Sequence, residues 1–224
     1  MDSQKPRMRS VILFLAATLI IYACNNSSST KDVSDTSIAK KTEAAVAPKV
    51  DRPTLITEIK RLKEVFSSKD SENIATLFKF PIYDSTASIY VDDETYNKEW
   101  KENGGKTTRD MFNRFFPQIY ESLQIEDINF LFKHIQLDSL QMKDTLETDT
   151  YQKTQPCYKS CQIAIENETV TLRIDMQSNR EWVDPDPKED EVADNSSEIC
   201  EHGFWWIFRF DGKNLNLVQI SGAD

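Results

Sequence analysis

Residues 203–220 read GFWWIFRFDGKNLNLVQI, and this stretch decides the fold. Gly203 to Phe210 predicts a strand, Asp211-Gly212 a turn, and Leu215 to Ile220 the returning partner of an antiparallel hairpin. Strand alternation places Phe204, Trp206, Phe208 and Phe210 on one face, with Trp205, Ile207 and Arg209 on the other. Both faces carry apolar residues, so the strand is expected to be covered twice. Helices would take one face. A ligand, a partner subunit or the acidic insertion that follows Trp182 would take the second, which makes Trp205, Ile207, Arg209 and Trp182 the candidate binding surface.

Upstream the same alternation returns. Cys161 to Glu166 alternates, Asn167-Glu168 can turn, and Val170, Leu172, Ile174 and Met176 alternate again, a second hairpin. Earlier still the apolar period lengthens to that of a helix: Leu55, Ile59, Leu62 and Phe66 share one side of residues 54–66. Asp70 or Ser71 can cap a second short helix with Ile74, Leu77 and Phe78 facing inward, and Phe80-Pro81 stops it because the residue before proline avoids helical angles. A strand is expected around Ser88–Val91. Gly104-Gly105 breaks the chain, and Thr107 with Asp110 gives a capping-box-like start. Met111, Phe112, Phe115, Phe116, Ile119 and Leu123 then mark an amphipathic helix in which Pro117 predicts a kink or restart. Residues 124–150 mix helical and extended signals. Helices first and a meander of strands after argue for an α+β fold, with N-terminal helices packed on a curved antiparallel sheet.

This order resembles the nuclear-transport-factor-2-like superfamily. The resemblance rests on the opening helix, the short helix running into Phe80-Pro81-Ile82, the Phe-rich helix after Thr107, and the Trp205–Phe210 strand turning into Leu215–Ile220. It implies a cone, a curved sheet wrapped round helices, over most of residues 51–224. The superfamily holds isomerases, dehydratases, polyketide cyclases, immunity proteins and many binding modules, so the fold does not choose a function. An isomerase or dehydratase reading asks for a carboxylate and a phenol inside an apolar pocket, where desolvation raises the carboxylate pKa. Tyr83, Asp84, Tyr90, Tyr120 and Asp175 are the candidates, and none lies in a motif that matches a catalytic position of the superfamily. The chain has only two histidines, which argues against a hydrolytic triad.

The amino terminus reads as an address. Lys5, Arg7 and Arg9 precede an apolar run from Val11 to Ala23, shorter than the roughly 18–20 residues of a membrane span and suited to the apolar core of a signal peptide. The run ends in Ile21-Tyr22-Ala23-Cys24, which resembles the lipobox of bacterial lipoproteins, with Tyr22 bulkier than usual. The resemblance implies cleavage of residues 1–23 and acylation of Cys24 by palmitate-type chains that tether the protein to a bilayer. Asn25 stands where an aspartate often signals inner-membrane retention, which points to the outer membrane of the cell envelope. Residues 25–50 carry no aromatic residue and no apolar period, so a flexible linker of roughly 25–30 Å mean span is expected between Cys24 and a single domain, residues 51–224.

Charge narrows the partners. The chain carries a net −10, of which residues 1–23 contribute +2, leaving −12 on the remainder. Such a surface repels nucleic acid. An envelope protein, a small apolar ligand or a second copy in a homodimer remain as partners, and no cofactor is expected. Cys157, Cys161 and Cys200 offer three arrangements. A disulfide between Cys200 and one of the other two is favoured over unpaired thiols, buried or exposed, and over a zinc site completed by His202. The residues from Asp184 to Glu201 are dense in carboxylates but lack the glycine and terminal glutamate of a calcium loop, so they read as a solvated acidic loop. Taken together the residues favour a membrane-anchored, non-catalytic binding or interaction module. The alternatives are an isomerase-type or dehydratase-type enzyme and a purely structural envelope protein.

Overall fold

Helix α1, Arg52–Ser68, opens with Pro53 in its first turn, where a missing N–H costs nothing, and buries Leu55, Ile56, Ile59, Leu62 and Phe66. The computed structural model describes residues 50–182 and 200–223; residues 1–49, on which the expected signal peptide, Cys24 and linker fall, the acidic stretch 183–199 and Asp224 lie outside the described residues. Lys69 leaves α1 in the left-handed region, φ 52°. The Asp70 carboxylate then accepts from Asn73 N at 2.9 Å and caps α2, Ser71–Ala75. This helix is shorter than its apolar period suggests, yet Leu77 and Phe78 remain buried in the turn beyond it.

The early strand lies elsewhere than expected. Strand β1 is Ile82–Tyr83, paired antiparallel with β2, Lys106–Thr107, whereas Ser88–Val91 runs without a ladder partner. That segment is held by Tyr90 N donating to Ser122 Oγ at 2.8 Å, with Ile220 N donating to Thr86 O at 2.7 Å just before it. Asp93 caps α3, Glu94–Glu102, through Thr95 N and Tyr96 N. Gly104 and Gly105 follow at φ +66° and +74°, angles that favour glycine. Thr107 does not start the next helix. It sits in β2 with its hydroxyl 2.6 Å from the buried Tyr96 hydroxyl, and Thr108 takes the cap, its Oγ1 accepting from Met111 N at 3.3 Å. Helix α4, Arg109–Arg114, breaks at Phe115, and α5, Phe116–Ser122, restarts with Pro117 in its first turn. The mixed signals of 124–150 resolve into α6, Ile125–His134, a 3-10 turn at Leu137–Gln141, and β3, Thr145–Asp149.

The rest is an antiparallel five-stranded meander in the order β3-β4-β5-β6-β7, with β4 Cys157–Glu166, β5 Thr169–Ser178, β6 His202–Phe210 and β7 Leu215–Ala223. The fold is thus α+β, helices and an antiparallel sheet. Both expected hairpins are present and longer than their alternating cores. In the second turn the Asp211 carboxylate accepts from Lys213 N and Asn214 N at 2.9 and 2.7 Å. One row of the ladder runs across every strand: Leu146, Ile163, Leu172, Trp206 and Ile220, all buried. Helices α1 and α6 lie against this face. Trp206 meets Phe66 edge-on at 5.0 Å and Phe78 at 5.8 Å, and its indole N–H donates to Leu123 O at 3.3 Å.

The double cover of β6 is absent among the described residues. Trp205 and Ile207 are half-buried and Arg209 is exposed. The physical reason is that their neighbours on this face, such as Gln162, Thr171, Arg173 and Gln219, are polar, so β6 alone is apolar on both sides.

Candidate outer-face binding site

The outer face of β6 is organised by a small residue. Gly203 stands opposite Asp175, and Trp205 opposite Arg173. A Cβ at position 203 would lie 2.6 Å from Asp175 Oδ1 and 3.2 Å from Trp205 Cζ3. Glycine is therefore what allows the carboxylate and the indole to close over the same spot. Arg173 Nε donates to both Asp175 oxygens, at 2.7 and 3.0 Å, and its guanidinium lies 5.5 Å from the Trp205 ring centroid. An indole, a guanidinium and a carboxylate thus share one patch, with Ile207 beside Thr171 on the next pair. The patch can stack a flat or apolar group and satisfy polar atoms of either sign; it holds no free acid–base pair, because Asp175 is engaged by Arg173.

Trp182 is half-buried, and its backbone N–H donates to Asn179 O at 3.1 Å. Buried Asn179 organises that corner, donating to Gln152 O and Gln155 O at 3.1 and 2.8 Å and accepting from Glu181 N at 2.9 Å.

The cysteines separate into two roles. Cys157 and Cys200 form a disulfide, Cα atoms 5.9 Å apart, across the ends of β4 and β6. Cys161 is free and buried in the inner face. The four zinc candidates therefore do not converge: two sulfurs are bonded to each other, one faces the core, and His202 is exposed. Burial pushes the Cys161 thiol up to about 11, so at neutral pH it stays a protonated, poorly nucleophilic group. Iodoacetamide at pH 8 is expected to leave Cys161 unmodified in the native protein and to label it fully in denaturant, read by intact mass. Rapid native labelling would mean that this face of the sheet opens readily.

The acid–base candidates are scattered. Tyr83 and Tyr90 are 50% and 75% exposed, Asp84 is exposed, and Asp175 lies on the outer face. Tyr120 is half-buried and donates to Glu126 Oε2 at 2.7 Å while accepting from Asn129 Nδ2 at 3.3 Å. Lys69 Nζ completes this network, 2.7 Å from Glu126, and the Lys69 and Tyr120 contacts hold the Glu126 carboxyl below its ordinary range. The network joins the end of α1 to α5 and α6 and has no sequence signature, since Lys69 is far from the other members in the chain. Two grooves, of about 290 and 410 Å³, are lined by neither the Asp nor the Tyr candidates.

Among the described residues no three His, Cys, Asp or Glu side chains group to hold a metal ion, and no helix is long and apolar enough to cross a membrane. No family model, no curated protein and no solved structure matches the chain.

Proposed function

We propose that the chain is a lipid-anchored envelope protein, tethered through Cys24, whose folded region is a non-catalytic binding module of the cone-shaped, nuclear-transport-factor-2-like kind. It works through the outer sheet face at Trp205, Ile207 and Arg209, with an envelope protein or a small apolar ligand as partner. The observation that carries this reading is a filled interior. Phe66, Phe112, Phe132, Trp206, Phe208 and Phe210 occupy the space between helices and sheet that a catalytic cone would keep open. The acidic balance and the lipobox-like Ile21-Tyr22-Ala23-Cys24 support the address. No placement among the described residues favours the isomerase or dehydratase alternative.

Two measurements test it. Cys24→Ser is expected to move the protein from the detergent phase to the aqueous phase on Triton X-114 partitioning; retention in detergent would remove the anchor. A photo-crosslinking residue at position 207, in cells of the native host, is expected to give a discrete adduct that Trp205→Ala reduces several-fold without lowering the melting temperature by more than a few degrees. An adduct indifferent to Trp205→Ala would remove the outer face as the working surface.

A further inference from the structure

Strand β3 is the last strand of the sheet, and one of its sides is unpaired. The register says which groups that side presents. Ile165 N donates to Asp144 O at 2.8 Å and Thr150 N to Lys159 O at 2.9 Å, in line with Thr145 opposite Ala164. The even-numbered residues therefore bond to β4, and the N–H and C=O groups of Thr145, Glu147 and Asp149 point away from the sheet. Among the described residues none of these groups has a hydrogen-bond partner. The opposite edge is treated differently. On β7, Ile220 N donates to Thr86 O and Leu215 N to Glu58 Oε2, so the chain satisfies part of that edge with its own atoms.

A groove of about 290 Å³ runs beside β3, between residues 134–136 and Thr145–Thr148. Its far wall is held in place: His134 Nδ1 is 2.8 Å from Phe130 O, its ring lies 4.0 Å from the Phe130 ring, and Ile135 is extended. An unpaired ladder edge with a groove alongside is the geometry that accepts an added strand.

Charge selects what is added. Glu147 and Asp149 stand on the outer side of β3, next to Gln162 and Ser160 of β4. A second copy overlapping β3 fully and antiparallel would set Glu147 against its own equivalent, and like charges directly opposite destabilise a pair. We propose that the free edge of β3 receives an extended segment of a partner protein as a sixth strand, with basic side chains on the outer sheet face and uncharged ones turned toward the groove, where Ile135 and Leu146 lie beside Gln136, Ser139 and Thr148. The acidic pair disfavours fully overlapped self-pairing and favours cationic strands, a selectivity built from repulsion as much as attraction. This surface goes beyond the Trp205 patch, from which β4 and β5 separate it.

The test uses residues 25–224, which keep the whole compact unit from Ala47 to Asp224. The probes are the capped peptide Thr-Lys-Val-Lys-Val-Lys-Thr and its counterpart with glutamate at each lysine, titrated into 15N-labelled protein. The lysine peptide is expected to shift the amides of Thr145, Glu147 and Asp149 and to protect them from exchange, with the glutamate peptide about tenfold weaker. Glu147→Pro removes one outward N–H without removing a bond to β4, and is expected to weaken the lysine peptide about tenfold. If that variant loses amide dispersion, Glu147→Lys/Asp149→Lys supplies the reading: it turns the acidic pair basic and should reverse the preference between the two peptides. Trp205→Ala should leave the titration unchanged, so failure of the outer-face reading and failure of this one are separable. No edge shifts at millimolar peptide, or equal affinity for both peptides, would overturn the proposal.

Discussion

Trp206→Ala is expected to destabilise the protein by about 3–5 kcal/mol, the range for removing a fully buried aromatic side chain. The indole is completely shielded, sits in the middle of the cross-strand row, and is wedged between Phe66 and Phe78. The substitution opens a cavity where α1, the turn after α2 and the sheet meet, and none of these can collapse inward without breaking another contact. It also strips Leu123 O of the indole N–H that satisfies it, leaving a buried carbonyl short of a partner. For a domain of this size the loss corresponds to a fall of about 10 °C in melting temperature. Urea unfolding followed by far-UV circular dichroism measures it. The neighbouring Trp205→Ala serves as the internal contrast: one residue away and on the half-buried face, it is expected to cost about 1 kcal/mol. Similar losses at the two positions would mean that the outer face is packed as tightly as the inner one.

Removing the Cys157–Cys200 bridge is expected to cost about 4 kcal/mol through the entropy returned to the unfolded chain, since the bridge closes a loop with a sequence separation of 43. The two half-cystines flank β5, where Cys157 pairs with Ser178 and the Ser178 hydroxyl accepts from Cys200 N at 3.2 Å. The ladder therefore holds the strand ends near one another even without the bond, and the native fold should persist in the double variant Cys157→Ala/Cys200→Ala. The loss should appear in the denaturant midpoint. Matched unfolding curves with and without a phosphine reductant, on the Cys161→Ala background to prevent exchange, make the measurement. Coincident curves would show that the bridge contributes nothing in solution.

Much of the architecture was legible in local chemistry. The alternation of Val170, Leu172 and Ile174, the aspartate cap at Asp70, and the proline at 117 each act within a few residues, and each produced the element it implies. Helix α3 was missed because its buried contribution is one residue, Tyr96, leaving no apolar period to read. The strand expected at Ser88–Val91 was displaced because its hydrogen bonds go to side chains, Tyr90 N donating to Ser122 Oγ and Val91 O accepting from Asn97 Nδ2, partners that no local pattern reveals.

The site divides along the same line. That Trp205, Ile207 and Arg209 share a face follows from the period of a strand and needs nothing else. Which face meets the helices, which cysteine pairs with Cys200, and how Gly203 lets Asp175 approach Trp205 are juxtapositions between strands distant in the chain. Residue periodicity, capping and turn chemistry are short-range and are written in the order of the residues. The pairing of the disulfide, the filled interior and the open edge of β3 come from registers between elements, and only the packed molecule sets those, because hydrophobic burial rewards proximity without specifying in advance which residues will be close.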